Sequence, residues 1–201
     1  MFIRRESFKQ YVSYYPIVTT LLAINIIVYF ITIIPGFGDK VLFWGMSVNG
    51  YITDGEWWRI VTAMFLHGSF THILFNSFSL FVFAPDLERL LGKGRFIITY
   101  LAAGIAGNIL TLIVHHAGYA SVGASGAIFG VFGAFAALVY FTRKNFPQLK
   151  QVVLPLIVIS VVMTFLSSGV NVTAHLGGLV TGFVFGLYFF NPKNNKKIRA
   201  V

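Results

Sequence analysis

Long runs of uncharged, mostly apolar residues alternate with short charged segments along the chain. Residues 17–34 form one run of eighteen, and three longer runs cover 60–85, 96–142 and 151–192. A helix needs about 20 largely apolar residues to cross the hydrocarbon core of a bilayer. The first two runs each accommodate one such helix, and the other two each accommodate two. The pattern therefore predicts six membrane-spanning helices.

Clusters of Gly, Ser, Asn and His show where the longer runs divide, since such clusters favour turns. The third run breaks at 115–123 and the fourth at 167–171. The first part of the second run contains His-Gly-Ser at 67–69 and is loop-like, so we place helix 2 at about Phe70–Leu91. The segment Pro35–Ser69 before it contains three Trp residues, Tyr51 and several Phe residues. Amphipathic rings favour the headgroup zone, so we expect a long membrane-associated loop between helices 1 and 2.

The run at 17–34 has a second interpretation, as the apolar part of a signal peptide. It is longer than the usual apolar segment of such a peptide, and Ile-Pro-Gly-Phe at 34–37 lacks a small-x-small cleavage site. We therefore interpret this run as a retained first helix.

The charged residues agree with a membrane location. They make up only 10% of the 201 residues, against about 25% in a soluble domain. The formal charge of +9 could indicate a nucleic-acid partner, but thirteen of the fifteen Lys and Arg residues lie in four clusters, at 4–9, 89–95, 143–150 and 193–199. In a six-helix arrangement all four clusters fall on one side, as the positive-inside rule requires.

We therefore expect an all-α membrane protein, a compact bundle of six transmembrane helices that forms one domain over residues 1–201. Both termini would be cytoplasmic, as a short segment at 1–15 and a basic tail at 192–201. The lipid bilayer is an expected partner and nucleic acid is not. The chain has no Cys, which excludes a disulfide framework and a thiolate metal site.

Polar side chains inside membrane spans are functional candidates because burying them in lipid is costly. Ser125 lies in Gly-Ala-Ser-Gly, where a turn becomes helix 4, and free N–H groups at a helix start favour a developing oxyanion. Serine is also a common N-cap residue. His175, at the start of helix 6, is suited to act as a general base, although a lone histidine in a membrane is more often a packing residue.

Glycines favour a close approach of helices 4 and 6. Gly178, Gly182 and Gly186 recur at every fourth residue of helix 6, and helix 4 offers glycines at 126, 130 and 133. Small residues let membrane helices pack closely. This pattern is typical of plain helix packing, and the same packing would bring His175 towards Ser125.

His72 and Asn76 are four residues apart, so they share one face of helix 2. Both can donate hydrogen bonds to an oxyanion, and an interhelical polar contact is the alternative. The zinc-protease pattern His-Glu-x-x-His is absent, because the sequence here is His-x-x-x-Asn. We expect neither a metal nor a cofactor.

Five sequence segments together resemble the rhomboid intramembrane proteases over about two thirds of the chain. In chain order they are Trp58-Arg59, then His67-Gly68-Ser69-Phe70-Thr71-His72-Ile73-Leu74-Phe75-Asn76, then Glu88-Arg89-Leu90-Leu91-Gly92, then Gly123-Ala124-Ser125-Gly126, and finally Ala174-His175 with Gly178 and Gly182. Each segment is weak alone, and their order and spacing make the resemblance specific. It implies a six-helix bundle of the bacterial rhomboid type in the plasma membrane, with an active site that opens to the external side.

The resemblance also implies roles for individual residues. Ser125 would be the nucleophile and His175 the base of a dyad without Asp. His72 and Asn76, with the Ser125 N–H, would form the oxyanion hole, and Phe129 would pack on His175. The resemblance implies structural roles as well. Gly178 and Gly182 would bring helix 6 against helix 4, and Glu88 would hold the cytoplasmic turn into helix 3. Trp58 and Arg59 would be structural parts of the external loop.

The implied reaction is the hydrolysis of a peptide bond in or beside the membrane span of a single-span protein. Two other hypotheses are a non-catalytic relative that binds membrane helices, and a small transporter or channel. The intact serine and histidine argue against the first alternative. The second predicts inverted repeats or paired broken helices, and the sequence contains neither. The sequence does not indicate an oligomeric state.

Overall fold

The computed structural model describes residues 2, 4–143 and 147–194. Lys144 and the part of the predicted basic tail from 195 onwards lie outside the described residues. The α-helices in the described part are α1 (Phe8–Tyr14), α2 (Pro16–Thr32), α3 (Gly38–Gly45), α4 (Asn49–Thr53), α5 (Arg59–Thr62), α6 (Phe70–Leu91), α7 (Lys93–Val114), α8 (Ser125–Thr142), α9 (Pro147–Leu166) and α10 (Val172–Phe189). The described part also contains a 3-10 turn at Ala63–Phe65 and two short strands, β1 (Ser47–Val48) and β2 (Ala120–Ser121).

Within the described residues, five helices, α6 to α10, are long and apolar enough to cross a membrane. The pair α1 and α2 meets the same criteria together, but the two helices are bent by 109° at Tyr15. Counting that pair as one span gives six. The prediction of an all-α membrane bundle is confirmed.

The bend near the N-terminus has a local cause. Tyr15 precedes Pro16, and a residue before proline is disfavoured in the helical conformation; its φ of −127° and ψ of 60° lie outside that region. Pro16 then begins α2 at the position where its missing N–H is tolerated. The helix α1, which Ser7 caps by accepting from the Gln10 N–H, was not predicted from the sequence.

Carboxylates of α6 hold this N-terminal region against the bundle. The side chain of Glu88 accepts from the N–H groups of Ile17 and Val18 at 3.1 and 2.9 Å, which satisfies free donors at the start of α2. Asp86 forms an ion pair with Arg4. Glu88 therefore joins α6 to α2, a contact that the sequence did not predict.

The predicted breaks between the later helices agree closely with the structure. Helix α6 begins at Phe70 and ends at Leu91, α7 ends at Val114, and α9 ends at Leu166. One boundary differs: α10 begins at Val172, so His175 is its fourth residue. The cause is Asn171, whose side chain accepts from the Ala174 N–H at 2.9 Å and caps the helix three residues earlier.

The long loop at 35–69 is folded rather than extended. Its β1 strand pairs antiparallel with β2, with Ser47 opposite Ser121. Arg59 is buried, and its guanidinium donates to the carbonyls of Phe43 and Met46 at 2.6 and 2.9 Å while it pairs with Glu56. These bonds hold the loop together, which agrees with the structural role that the resemblance implies for Arg59.

Helix α8 lies at the centre of the bundle. Fourteen of its eighteen residues are buried, which leaves it enclosed by the other helices. Asn171, which caps α10, also donates to Ser121 in β2 and to Thr111 on α7, at 3.1 and 3.0 Å. The start of α10 is thereby tied to α7 and to the segment that precedes α8, and a Cβ atom on Gly126 of α8 would contact the Ala174 carbonyl of α10. The fold thus places the starts of these two helices side by side.

Candidate active site

Ser125 is the first residue of the central helix α8. The N-cap position belongs to Ala124, and no side chain caps this helix. The N-cap interpretation of Ser125 is therefore excluded. The first N–H groups of α8 have no partner within the helix, so they remain available beside the serine hydroxyl.

His175 is buried and held on two sides. Its ring stacks on Phe129, one turn after Ser125 on α8, with ring centroids 4.1 Å apart and an angle of 17° between the planes. Its Nδ1 atom lies 2.9 Å from Oγ1 of Thr164 on α9. The histidine ring is therefore fixed by α8 and by α9. Thr164 was not singled out from the sequence, although it too is a polar residue within a span.

Backbone contact between α8 and α10 brings the two candidate residues to one level. A Cβ atom added to Gly178 would collide with the carbonyl oxygen of Gly126, and one added to Gly182 would collide with that of Gly130. Five of the six buried residues of α10 are Gly or Ala, and the sixth is His175. The small residues give α10 a flat face against α8, as small residues do in membrane bundles.

The turn before Ser125 requires glycine. Gly123 has a φ of +131°, a conformation that other residues rarely adopt. A Cβ atom at this position would also lie 2.7 Å from Cε1 and Nε2 of His72 and 3.6 Å from Oγ of Ser125. The His72 ring and the serine hydroxyl thus both border the same glycine.

Asn76 and His72 are linked on α6. The Asn76 side-chain amide donates to the His72 carbonyl at 2.9 Å, and the His72 N–H is bonded to Oγ of Ser69 at 3.1 Å. The amide nitrogen of Asn76 carries two hydrogens, so one donor remains beyond the intrahelical bond. These contacts fix the positions of both side chains.

A cavity of about 720 Å³ brings the predicted polar residues together: Ser125, His175, His72 and Asn76 all line it. In the described part of the chain, the titratable side chains that line it are His72, His175 and Tyr119, and no described Asp, Glu, Lys or Arg residue lines it. Thr164 and Asn171 also line the cavity. Asn171 could have been suspected from its place just before helix 6, in a segment interpreted as a turn.

His67, in the loop before α6, lies behind this cavity. Its side chain is 2% exposed, and neither ring nitrogen has a hydrogen-bond partner in the described part of the chain. Burial, followed by the nearby His72, lowers the pKa of His67 to about 4. The ring of His67 is therefore neutral at neutral pH. It packs against the His72 ring in a T-shaped arrangement, with the ring centroids 5.1 Å apart.

Metal-ligating side chains do not cluster near the cavity. Among residues 2, 4–143 and 147–194, no group of three or more His, Cys, Asp or Glu side chains is arranged to hold a metal ion. The hydroxyl, the imidazole and the donors nearby are instead the parts needed for nucleophilic attack on a carbonyl group.

Residues 54–192 match the family model described as the rhomboid domain. This segment covers the cavity and every helix from α6 to α10. The chain belongs to the rhomboid family. The predicted resemblance is confirmed.

Individual relatives support the family assignment, one of them over nearly the full length. The chain is 41% identical to YdcA of Bacillus subtilis (strain 168), whose name places it among the rhomboid proteases, over 98% of this chain and all of that one. It is 36% identical to the rhomboid protease GluP of the same organism, over 86% of this chain and 34% of GluP. It is 33% identical to the rhomboid-type serine protease 2 of Emericella nidulans, over 75% of this chain and 30% of that protein.

The protein is therefore a serine endopeptidase of the rhomboid type and an integral, multi-pass membrane protein. A rhomboid protease hydrolyses peptide bonds within the membrane, which agrees with a cavity that lies between apolar helices and is lined in part by polar side chains.

Proposed function

We propose that Ser125 and His175 form the catalytic dyad of this protease. The observation that carries the proposal is that both residues line one cavity, while Phe129, one turn along α8 from the serine, stacks on the histidine at 4.1 Å. A serine hydroxyl is a weak nucleophile until an adjacent base accepts its proton. His175 is the buried histidine of α10, the helix in backbone contact with α8.

The proposed reaction has two steps. Oγ of Ser125 attacks the carbonyl carbon of the scissile bond while its proton moves to Nε2 of His175. The C–N bond then breaks, and the imidazolium gives that proton to the leaving amine. Water attacks the resulting ester in the same way, with His175 again as the base, and releases the acyl product and the serine.

The oxyanion formed in each step would be stabilised by His72, Asn76 and the backbone N–H of Ser125. Support comes from the open start of α8, the place of the His72 ring beside Gly123, and the free amide hydrogen of Asn76. Donors fixed before the reaction stabilise developing charge without reorganisation. No carboxylate lines the cavity, so the negative charge of the oxyanion meets no fixed negative charge.

The proposed substrates are single-span membrane proteins. A peptide bond inside a helix is shielded by its own backbone, so a cleavable segment must unwind to reach Ser125. The apolar outer surfaces of the bundle suit a lipid environment, and the polar cavity accommodates an extended backbone whose N–H and C=O groups need partners.

We further propose that residues 1–201 form a single membrane-embedded domain with both termini cytoplasmic and the cavity open to the external side. The four basic clusters support this orientation. The chain has no Cys, so single cysteines can be introduced near Arg4, near Gly92 and near Gly118. A membrane-impermeant thiol reagent added outside intact cells should label only the last of these. External labelling at either of the other two positions would overturn the orientation.

A fluorophosphonate probe tests the dyad directly, because it labels an activated serine. The purified protein should be labelled, and Ser125→Ala should abolish the label. Ser79→Ala is the matched control, because Ser79 also lines the cavity but lies on α6. Labelling that persists in Ser125→Ala would place the nucleophile elsewhere. Absence of labelling and of cleavage in the parent would favour a non-catalytic protein that binds membrane helices.

A further inference from the structure

We propose that Thr164 on α9 is a positioning residue that fixes the tautomer of His175, which deepens the proposed dyad and rests on it. Thr164 is 3% exposed, and the other buried residue of α9 is Val153. The threonine is therefore the polar side chain through which this largely exposed helix contacts the catalytic pair.

The proton of the Thr164 hydroxyl is already committed to a carbonyl group. Oγ1 donates to the carbonyl oxygen of Ser160, one turn earlier on α9, at 3.0 Å. A carbonyl oxygen can only accept, and a hydroxyl has a single proton to donate. Bonds of this kind to the residue four positions back are common for threonine within helices.

The second contact of Oγ1 must therefore be one in which the threonine accepts. Nδ1 of His175 lies 2.9 Å from Oγ1, within hydrogen-bond distance. Because the hydroxyl proton points to Ser160, the proton in this contact belongs to Nδ1. Neutral imidazole carries one N–H only, so Nε2 is left with a free lone pair.

This tautomer is the one that the reaction needs. A histidine protonated at Nε2 could not accept the proton of Ser125 through that atom. In serine proteases with a triad, a carboxylate holds the histidine in the right tautomer. Here the cavity has no acidic lining residue, and the neutral oxygen of Thr164 occupies the position beside Nδ1 instead.

The surroundings of the ring leave Thr164 as its polar partner on this side. From α8 the ring meets the apolar Phe129, and α6 contributes His72 to the cavity. Among residues 2, 4–143 and 147–194, the titratable groups that face the cavity are His72, His175 and Tyr119, and no Asp, Glu, Lys or Arg side chain lines it. Loss of Thr164 would leave Nδ1–H buried without an acceptor, and both tautomers would then become populated.

Two variants separate the positioning role from packing. Thr164→Val keeps the shape but removes the acceptor, and it should lower kcat by roughly threefold to tenfold, the effect of one net hydrogen bond, with KM unchanged. Thr164→Ser keeps the hydroxyl and should recover most of the parental kcat. Thr142→Val is the matched control, since Thr142 is a buried threonine of α8 that donates to the Leu138 carbonyl at 2.7 Å.

Nitrogen-15 NMR of histidine-labelled protein gives a readout that packing alone would not change. The His175 signals, identified by their loss in His175→Ala, should show Nδ1 protonated and Nε2 unprotonated in the parent and in Thr164→Ser. Thr164→Val should show a mixture of the two tautomers. The parental measurement depends on no Thr164 variant, and only His175→Ala must fold for the signals to be identified.

Each outcome has one meaning. A parent that is labelled at Ser125 and cleaves substrate, but carries the proton on Nε2, overturns the role of Thr164 and leaves the dyad standing. Equal kcat in Thr164→Val and the parent does the same. A parent that neither reacts with the fluorophosphonate nor cleaves contradicts the proposed dyad itself, whatever the tautomer.

Discussion

Helices α8 and α9 are neighbours in sequence and similar in hydrophobicity, yet they are used in opposite ways. Fourteen of the eighteen residues of α8 are buried, against two of the twenty residues of α9. The outer surface of α9 is formed by large apolar side chains such as Ile159 and Phe165, which are 59% and 62% exposed. One helix is enclosed by protein, and the other faces lipid over most of its surface.

The difference shows where rigidity is placed in this protease. The pair α8 and α10 approach so closely that glycine backbones touch, and this pair carries Ser125 and His175. Apolar contact with lipid is nearly as favourable as apolar contact with protein, so α9 gains little from packing more tightly. We infer that α8 and α10 fix the reacting groups, while α9 contributes mainly through Thr164.

The largest expected effect is on the closely packed pair itself. Ser125→Ala or His175→Ala should each reduce the cleavage rate by about 10⁶-fold, as the loss of a nucleophile or its base does in other serine hydrolases. Cleavage of a purified single-span substrate in detergent or vesicles measures it. Ile159→Val, on the exposed face of α9, should stay within a fewfold of the parent. A His175→Ala variant that kept parental activity would show that another group acts as base.

The next effect tests whether α6 shares in the chemistry. His72→Ala and Asn76→Ala should each lower kcat by about 10²- to 10³-fold, because an oxyanion donor acts in the transition state. KM should change far less, since the ground-state carbonyl does not need these donors. Steady-state kinetics on both variants and on Ser79→Ala separate the two parameters. If each variant raised KM and left kcat unchanged, the pair would contribute to substrate binding only.

Much of this arrangement could be predicted from the sequence because lipid imposes simple rules. The start of α6 at Phe70 and the breaks at 115–123 and 167–171 follow from hydropathy and turn residues alone. The polar residues His72, Asn76, Ser125 and His175 were noticed because polar groups are costly in a membrane, and one cavity contains all four. The stacking of Phe129 on His175 followed from the family resemblance.

Other features depend on contacts between distant parts of the chain, which hydropathy does not reveal. The bond of Glu88 to the start of α2 joins residues 70 positions apart. The fold of the loop depends on carbonyls of Phe43 and Met46 turning towards a buried Arg59. The sequence does not single out Thr164, because threonine is common within membrane helices and its role depends on which face of α9 meets His175.

The glycine contact can be broken without removing any chemical group of the site. Gly182→Val would force side-chain atoms into the Gly130 carbonyl and separate α10 from α8. A displacement of about 1 Å at a catalytic contact can lower the rate by about 10²-fold, and we also expect a lower thermal stability. Cleavage assays and thermal unfolding of the purified variant measure both effects.

Two further variants test whether the loss of activity and stability follows the size of the steric overlap. A Cβ on Gly186 would lie 2.7 Å from Cβ of Ala137 and 2.9 Å from Cα of Ala134, a milder overlap, so Gly186→Ala should be intermediate. Val184→Leu enlarges an exposed side chain of the same helix and should behave like the parent. Full activity and stability in Gly182→Val would mean that the close approach of α8 and α10 is not needed to position His175.

The smallest effect compares one substitution on the two contrasting helices. Val131 on α8 is 1% exposed and Val158 on α9 is 59% exposed. Val131→Ala should lower stability by about 1–3 kcal/mol, because it leaves a space that the enclosed helices fill only in part. Val158→Ala should change stability by less than about 0.5 kcal/mol, because lipid chains rearrange to fill the space that its two methyl groups leave. Unfolding of both variants in the same lipid or detergent gives the difference. Equal losses at the two positions would mean that α9 packs against protein as tightly as α8, and that its exposed face is covered by something other than lipid.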